Sequence, residues 1–199
     1  MENQDQPCDD CQKDAVGTLK QLFIDRLQIK RISLGQTPAL RPVFSKTQGV
    51  AHGWFEAVPG LDESLCVGVF GMGKRFDAWV RFSSDCQPTD PDQKNTLGIG
   101  IKLFGVPGKK FFDHGDTQDF LLQNHDIFMV ADSRSFCEFT REILNGEGED
   151  AYYKTHPETG RIVKEMEKTE LSALSATFWS ALPTGSAKGD SLSISCCHD

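Results

Sequence analysis

The chain opens on a polar stretch, MENQDQPCDDCQKD, in which apolar positions recur at neither a helical nor a strand interval. Residues 1–14 are therefore expected to be a disordered tail. From about Ala15 the pattern changes. Leu19, Leu22, Phe23 and Leu27 recur at helical spacing, while Lys20, Asp25 and Arg26 take the other face. This predicts an amphipathic helix to about Arg31. Segment 34–42, with a glycine and two prolines, reads as an irregular connector. The middle of the chain follows another period. Short runs rich in Val, Phe and Trp occupy 49–58 (GVAHGWFEAV), 65–70 (LCVGVF), 78–84 (AWVRFSS), 96–105 (TLGIGIKLFG) and 118–123 (QDFLLQ). Turn clusters at Pro59-Gly60, 71–74, 87–94 and 106–108 separate them. Five or six strands without intervening helices predict an antiparallel sheet or barrel rather than βαβ units. Helical spacing returns after Asp132, where Phe136, Phe139, Ile143 and Leu144 share a face and Ser133 or Ser135 offers an N-cap. Beyond it, 145–155 (NGEGEDAYYKT) reads as a polar loop, 161–169 as a charged helix and 170–179 as the start of another. The last twenty residues show no periodicity. The fold class is α+β.

Composition narrows the classes of function. At 199 residues the length suits one domain, and 38% hydrophobic with 25% charged residues excludes general disorder. No apolar run approaches the roughly 20 residues needed to cross a bilayer. The acidic start lacks the basic and then apolar stretch of a signal peptide. The final residues, CCHD, are not a peroxisomal signal, so a cytoplasmic location is expected. Twenty-one Lys and Arg against 29 Asp and Glu give a net charge of −8, which argues against nucleic acid or an anionic membrane as partner. No stretch of the sequence reads as a local exception. Seven cysteines in an unsecreted chain are expected to be reduced thiols.

Candidate chemistry is sparse. Cys8 and Cys11 form a CxxC, and Cys196-Cys197-His198 lies near the other end, so the two could bind zinc if the termini met. One CxxC beside a CC pair is a weak pattern, and solvated free cysteines are the preferred reading; no metal site is assigned. His52, His114, His125, His156 and His198 fall in no ligand spacing. Gly98-Ile99-Gly100 lies inside a strand pattern without the helix that would complete a dinucleotide site. It reads as a place where a neighbouring side chain or a flat ligand approaches the backbone closely. Arg81 sits inside the apolar run WVRFSS, where it is either an outward-facing surface residue or an anion ligand, and Lys102 lies similarly inside IGIKLFG.

Four blocks in order resemble the haem catalases and their compact catalase-related branch. Arg41-Pro42-Val43-Phe44-Ser45-Lys46, with Gly49 and Gly53-Trp54-Phe55-Glu56, is similar to the family's first core block. Val80-Arg81-Phe82-Ser83 matches its VRFS strand, and Leu97-Gly98-Ile99-Gly100-Ile101-Lys102 resembles its RGxAIK strand. Gln118-Asp119-Phe120 through Asn124-His125-Asp126-Ile127-Phe128 resembles the QDF…N…F block of the compact branch. The resemblance implies an antiparallel β-barrel core with N-terminal and C-terminal helices, holding haem b. It implies that Arg41 and Arg81 pair with haem propionates, and that Ser83 and Phe136 belong to the distal pocket. It implies that Asn124, or Gln123 with a one-residue shift, is the distal amide.

The chain also departs from that pattern. Phe44 stands where the family has its distal histidine, and a phenyl ring cannot move a proton between peroxide oxygens. His52, eight positions on, would share the face of Phe44 but lie too far along to replace it. The family's axial tyrosinate comes from an RxxxY motif. Tyr152 and Tyr153 are the only tyrosines here, and neither has an Arg four residues before it. The chain accordingly reads as residues 15–180 of an incomplete catalase-like domain with a divergent tail over 181–199. A truncated gene model, a splice variant and a genuine stop are all open as the cause. The expected function is a haem-binding relative of oxidoreductases acting on hydrogen peroxide or lipid and other organic hydroperoxides, with assembly into homo-oligomers. The alternatives are a non-catalytic barrel serving as a binding or interaction module, and an unstable fragment.

Overall fold

The computed structural model describes residues 9–110, 115–146, 148–168 and 170–180, and the backbone of three two-residue strands beyond them. His114, Cys8, Cys197 and His198, together with the side chain of Cys196, lie outside the described residues. Contacts divide the chain into two compact units. One holds the chain up to Val43 together with Phe128–Glu165, and the other holds Phe44–Ile127 and the chain from Met166 onward. No described helix is long and apolar enough to cross a membrane.

The first unit is helical. Helices α1 (Asp9–Lys13) and α2 (Ala15–Gln21) lead through a π-helical stretch, Leu22–Ile29, into α3 (Lys30–Ser33). Asp14 caps α2 by accepting the Gly17 N–H at 2.9 Å. Helices α4 (Ser133–Asn145), α5 (Glu149–Thr155) and α6 (Pro157–Met166) follow later in the chain. The cap of α4 is Asp132, not either serine: its carboxylate accepts the Ser135 N–H at 2.8 Å, and that bond holds its pKa below the usual carboxylate value. The segment read as a polar loop contains α5, because Tyr152 is fully buried against Phe139 and stacks on His156 at 3.9 Å. The expectation of reduced thiols is overturned for one pair. Cys11 and Cys137 form a disulfide, with Cα atoms 5.8 Å apart, at the centre of the cluster they make with Leu22. Cys66 and Cys86 are free thiols.

The second unit is built on an antiparallel sheet of β1 (Lys46–Phe55), β2 (Phe76–Ser84), β3 (Leu97–Phe104), β4 (Thr117–Gln123) and β5 (Phe178–Ser180). Strands β6 (Thr184–Gly185) and β7 (Ser191–Leu192) form a separate pair, and β8 (Ser195–Cys196) adds to β5. The order β1-β2-β3-β4-β5-β8 is sequential apart from that last step. The α+β class holds, but the closed barrel does not: among the described residues β1 pairs only with β2 and β8 only with β5, so the sheet is open. Segment 65–70 also departs from the strand reading. It forms two short 3-10 turns, Glu63–Leu65 and Gly68–Gly71, because Gly68 at φ 52° breaks the extended run. The stretch 170–179, read as a helix start, ends instead in β5.

Strand alternation decides which side of the sheet is covered. Ala78, Leu97, Ile99, Leu103 and Leu122 point into two apolar clusters. One is completed by Ala173, Ala176 and Phe178, the other by Val69, Phe76 and Val106. Gln48 ties β1 to the segment ahead of β5, donating to the Leu171 carbonyl (3.2 Å) and accepting the Ala173 N–H (2.7 Å). A bulge between Thr47 and Gly49 accompanies this anchor.

Candidate functional site

The other face of the sheet is open and largely apolar. Val50, Arg81, Gly100 and Leu121 are register partners in one row across β1–β4. His52, Trp79, Lys102 and Asp119 form the next row. Val50 is 58% exposed, Trp54 66%, Trp79 47% and Leu121 70%, values that belong to a surface and not to a core. Two charged pairs lie on this face. Lys102 meets Asp119 at 2.7 Å and His52 Nε2 meets Asp77 at 2.7 Å, with the His52 ring 4.8 Å from that of Trp79.

At one end of the face the chain before β1 folds down onto the sheet. Phe44 has φ 49°, a left-handed conformation that costs a bulky side chain energy and survives only when its surroundings fix it. Three contacts do so. Its N–H donates to Asp85 Oδ1 at 3.1 Å, its carbonyl accepts from Arg81 Nη2 at 2.7 Å, and its ring lies on the backbone of Gly98. A Cβ at position 98 would come within 2.8 Å of Phe44 Cε1, so only glycine fits there. The close approach expected at this glycine pair is therefore made by a side chain at Gly98. Gly100 is different: a Cβ there would meet only Leu121 Cδ2, at 3.8 Å, leaving a flat floor between Val50 and Leu121.

The residues singled out from sequence divide between the two units. Phe44, Arg81 and Ser83 come together around Gly98. Arg81 Nε also donates to Thr47 Oγ1 at 3.0 Å, and the buried Ser83 hydroxyl donates to the Gly98 carbonyl at 3.0 Å. Asn124 is buried at 2% exposure, and its carboxamide joins three backbone segments. It accepts the Leu97 N–H (2.9 Å) and donates to the Met166 (3.1 Å) and Asn95 (3.3 Å) carbonyls. Gln123 is likewise turned to the backbone, donating to the Ile127 carbonyl at 3.0 Å. Arg41 and Phe136 belong to the helical unit. There the Arg41 carbonyl accepts from Arg31, and the Phe136 ring packs between Phe23 and Phe128. His52 lies four residues along from the Gly98 row, about 13 Å, on the same face as Phe44.

The tyrosines are not arranged as an axial ligand. Tyr152 is fully buried and its hydroxyl donates to the Ser135 carbonyl at 3.2 Å. Burial, reinforced by the carboxylates of Glu138, Glu142 and Asp132, pushes its phenol up to about 12, away from tyrosinate. The Tyr153 hydroxyl donates to Glu149 at 2.9 Å. Among the described residues no three His, Cys, Asp or Glu side chains gather as a metal site. The residues that sequence reading missed are Asp85 and Thr47, which fix Phe44 and Arg81. Their roles depend on partners far away in the chain, and no local pattern marks them. No protein-family model matches the chain, and no curated protein matches it.

Proposed function

We propose that the sheet unit is a non-catalytic binding module of catalase-like type, whose open face takes a flat apolar ligand carrying an acidic group. The observation that carries this reading is the row Val50–Arg81–Gly100–Leu121. It sets a glycine floor between two exposed aliphatic side chains and brings a guanidinium charge to the same face. A planar ring system lies flat only where no Cβ intervenes, and its carboxylate gains from a nearby cation. Haem is the ligand class that the resemblance suggests, and the floor suits its ring. The residues do not suit its iron. Tyr152 is neutral and buried, Tyr153 is bonded to Glu149, and Phe44 offers no base. Peroxide turnover is accordingly not part of this reading.

The test is titration with haemin, followed by visible absorbance and by quenching of tryptophan fluorescence, since Trp79 stands in the row next to the floor and Trp54 further along the same face. Gly100→Leu fills the floor at a position with room for a side chain, and is expected to weaken binding by more than about tenfold. Gly53→Ala, whose Cβ meets nothing within 4 Å, serves as the control. Spectra equal to those of haemin with an unrelated protein, or equal affinity in Gly100→Leu, would reject the haem-type reading.

A further inference from the structure

The net charge of −8 conceals a place where the sign reverses. Between Ala15 and Leu34 the chain carries Lys20, Arg26, Lys30 and Arg31 against Asp25 alone. In the helical unit three of these cations line one cavity of about 380 Å³, formed by the π-helical stretch, α3 and the C-terminal end of α4. Arg26, Lys30 and Arg31 supply its positive charge, Leu27, Leu34 and Leu144 its apolar wall, and Asp25 its one carboxylate. The stretch from Ala15 to Leu34 is a local exception to the acidic balance and corrects the reading that there is none; what the linear sequence does not display is the wall contributed by Leu144 from a distant part of the chain.

Two of the cations are held in place by the backbone. Arg26 Nη2 donates to the Leu144 carbonyl at 3.4 Å, and Arg31 Nη1 donates to the Arg41 carbonyl at 3.0 Å and to Gln28 Oε1 at 3.4 Å. The Lys30 ammonium has no hydrogen-bond or ion-pair partner among the described residues, and Leu34 beside it is 77% exposed. Converging like charges repel, and an exposed leucine next to them remains in water. One ligand relieves both conditions.

We propose that this cavity binds an anionic amphiphile. A phosphate or carboxylate head would sit on Lys30, Arg26 and Arg31, with the first methylenes of its chain on Leu27, Leu34 and Leu144. A simple inorganic anion would leave the leucines in water. A polyanion is opposed by the chain's net charge of −8. The volume lies near the lower end of the range for small-molecule sites, roughly 300–1,000 Å³. It therefore suits a head group with part of one acyl chain, supplied either by a membrane lipid or by a soluble single-chain amphiphile.

The experiment uses the full chain with dodecyl phosphate in calorimetry, and with vesicles of phosphatidylcholine alone or mixed with phosphatidylserine in sedimentation. Dodecyl phosphate is expected to bind, whereas inorganic phosphate and dodecanol each fail. Lys30→Gln is expected to weaken binding by about fivefold. Leu34→Ser should weaken it as well, and Lys154→Gln, an exposed lysine outside the cavity, should leave it unchanged. Capture by phosphatidylserine vesicles but not by phosphatidylcholine vesicles assigns the head to a membrane lipid. Binding of dodecyl phosphate without vesicle capture assigns it to a soluble amphiphile. Either result supports the site. Equal binding of inorganic phosphate, absence of binding to every probe, or affinity unchanged in both Lys30→Gln and Leu34→Ser overturns it. Circular dichroism of each variant separates loss of the site from loss of fold.

Discussion

The sheet unit buries two apolar clusters, together drawing on every one of its first five strands or the segments between them. The buried cluster around the disulfide in the helical unit is smaller: Cys11, Leu22 and Cys137, with half-buried Ala15, Leu19 and Leu144 around them. Among the described residues the sheet unit has no cross-link, whereas the helical unit adds a covalent one between residues 126 positions apart. A strand pair with one covered face collects its core from alternate residues of each strand. Short helices such as α1 and α2, of five and seven residues, offer only a residue or two each and gain more from a bond that restricts the unfolded chain.

The strongest way to break this comparison is to remove the cross-link. Cys137→Ser, or a dithiol reductant, is expected to cost about 2–5 kcal/mol. The probes separate by position: Trp54, Trp79 and Trp179 all lie in the sheet unit, while Tyr152 and Tyr153 lie in the helical unit. Loss of the disulfide should lower the denaturation midpoint followed by helical circular dichroism more than the midpoint followed by tryptophan fluorescence. Equal shifts would mean that the cross-link serves both units alike.

A smaller effect tests the sheet side. Asn124→Ala removes the acceptor for the buried Leu97 N–H and the donor to the Met166 carbonyl, and is expected to destabilise by about 1–3 kcal/mol. The tryptophan-reported midpoint should fall, while haemin affinity of the folded variant stays that of the wild type. A change of affinity at unchanged stability would make Asn124 a ligand-facing amide instead of a brace.

Much of the sheet was legible because its residues alternate. The runs at 78–84, 96–105 and 118–123 lie within two residues of β2, β3 and β4 at each end. The first strand begins three residues earlier than its apolar run, since Gln48 is drawn into place by Leu171 and Ala173, which no local window contains. Helix α5 was hidden by its polar composition, because the burial of Tyr152 depends on Phe139 in α4. The glycine pair at 98 and 100 was legible as a place of close approach. The left-handed Phe44 was not, as its conformation is set by Asp85 and Arg81, about forty positions away. Nor could cysteine spacing give the pairing of Cys11 with Cys137, since connectivity follows from the fold and not from the count.

The finest test of the helical unit uses the proton on Tyr152. Its phenol is neutral when protonated, and the folded protein holds its pKa up to about 12, against an ordinary value of 10.0, chiefly through burial. Below pH 10 both folded and unfolded chains keep the proton, so the contribution is fully present. As pH rises from 10 towards 12 the unfolded chain releases a proton that the folded chain still retains, and stability falls. Tyr152→Phe cannot titrate, and it loses only the hydroxyl bond to the Ser135 carbonyl while keeping the contacts with Phe139 and His156. At neutral pH the wild type should therefore be slightly more stable than the variant. That advantage should shrink across the same alkaline window when both are followed by helical circular dichroism. Because the two proteins differ at this position alone, the difference between the two curves isolates Tyr152. A difference independent of pH would mean that the phenol ionises as readily in the folded chain as in the unfolded one, and that its burial does not govern its proton.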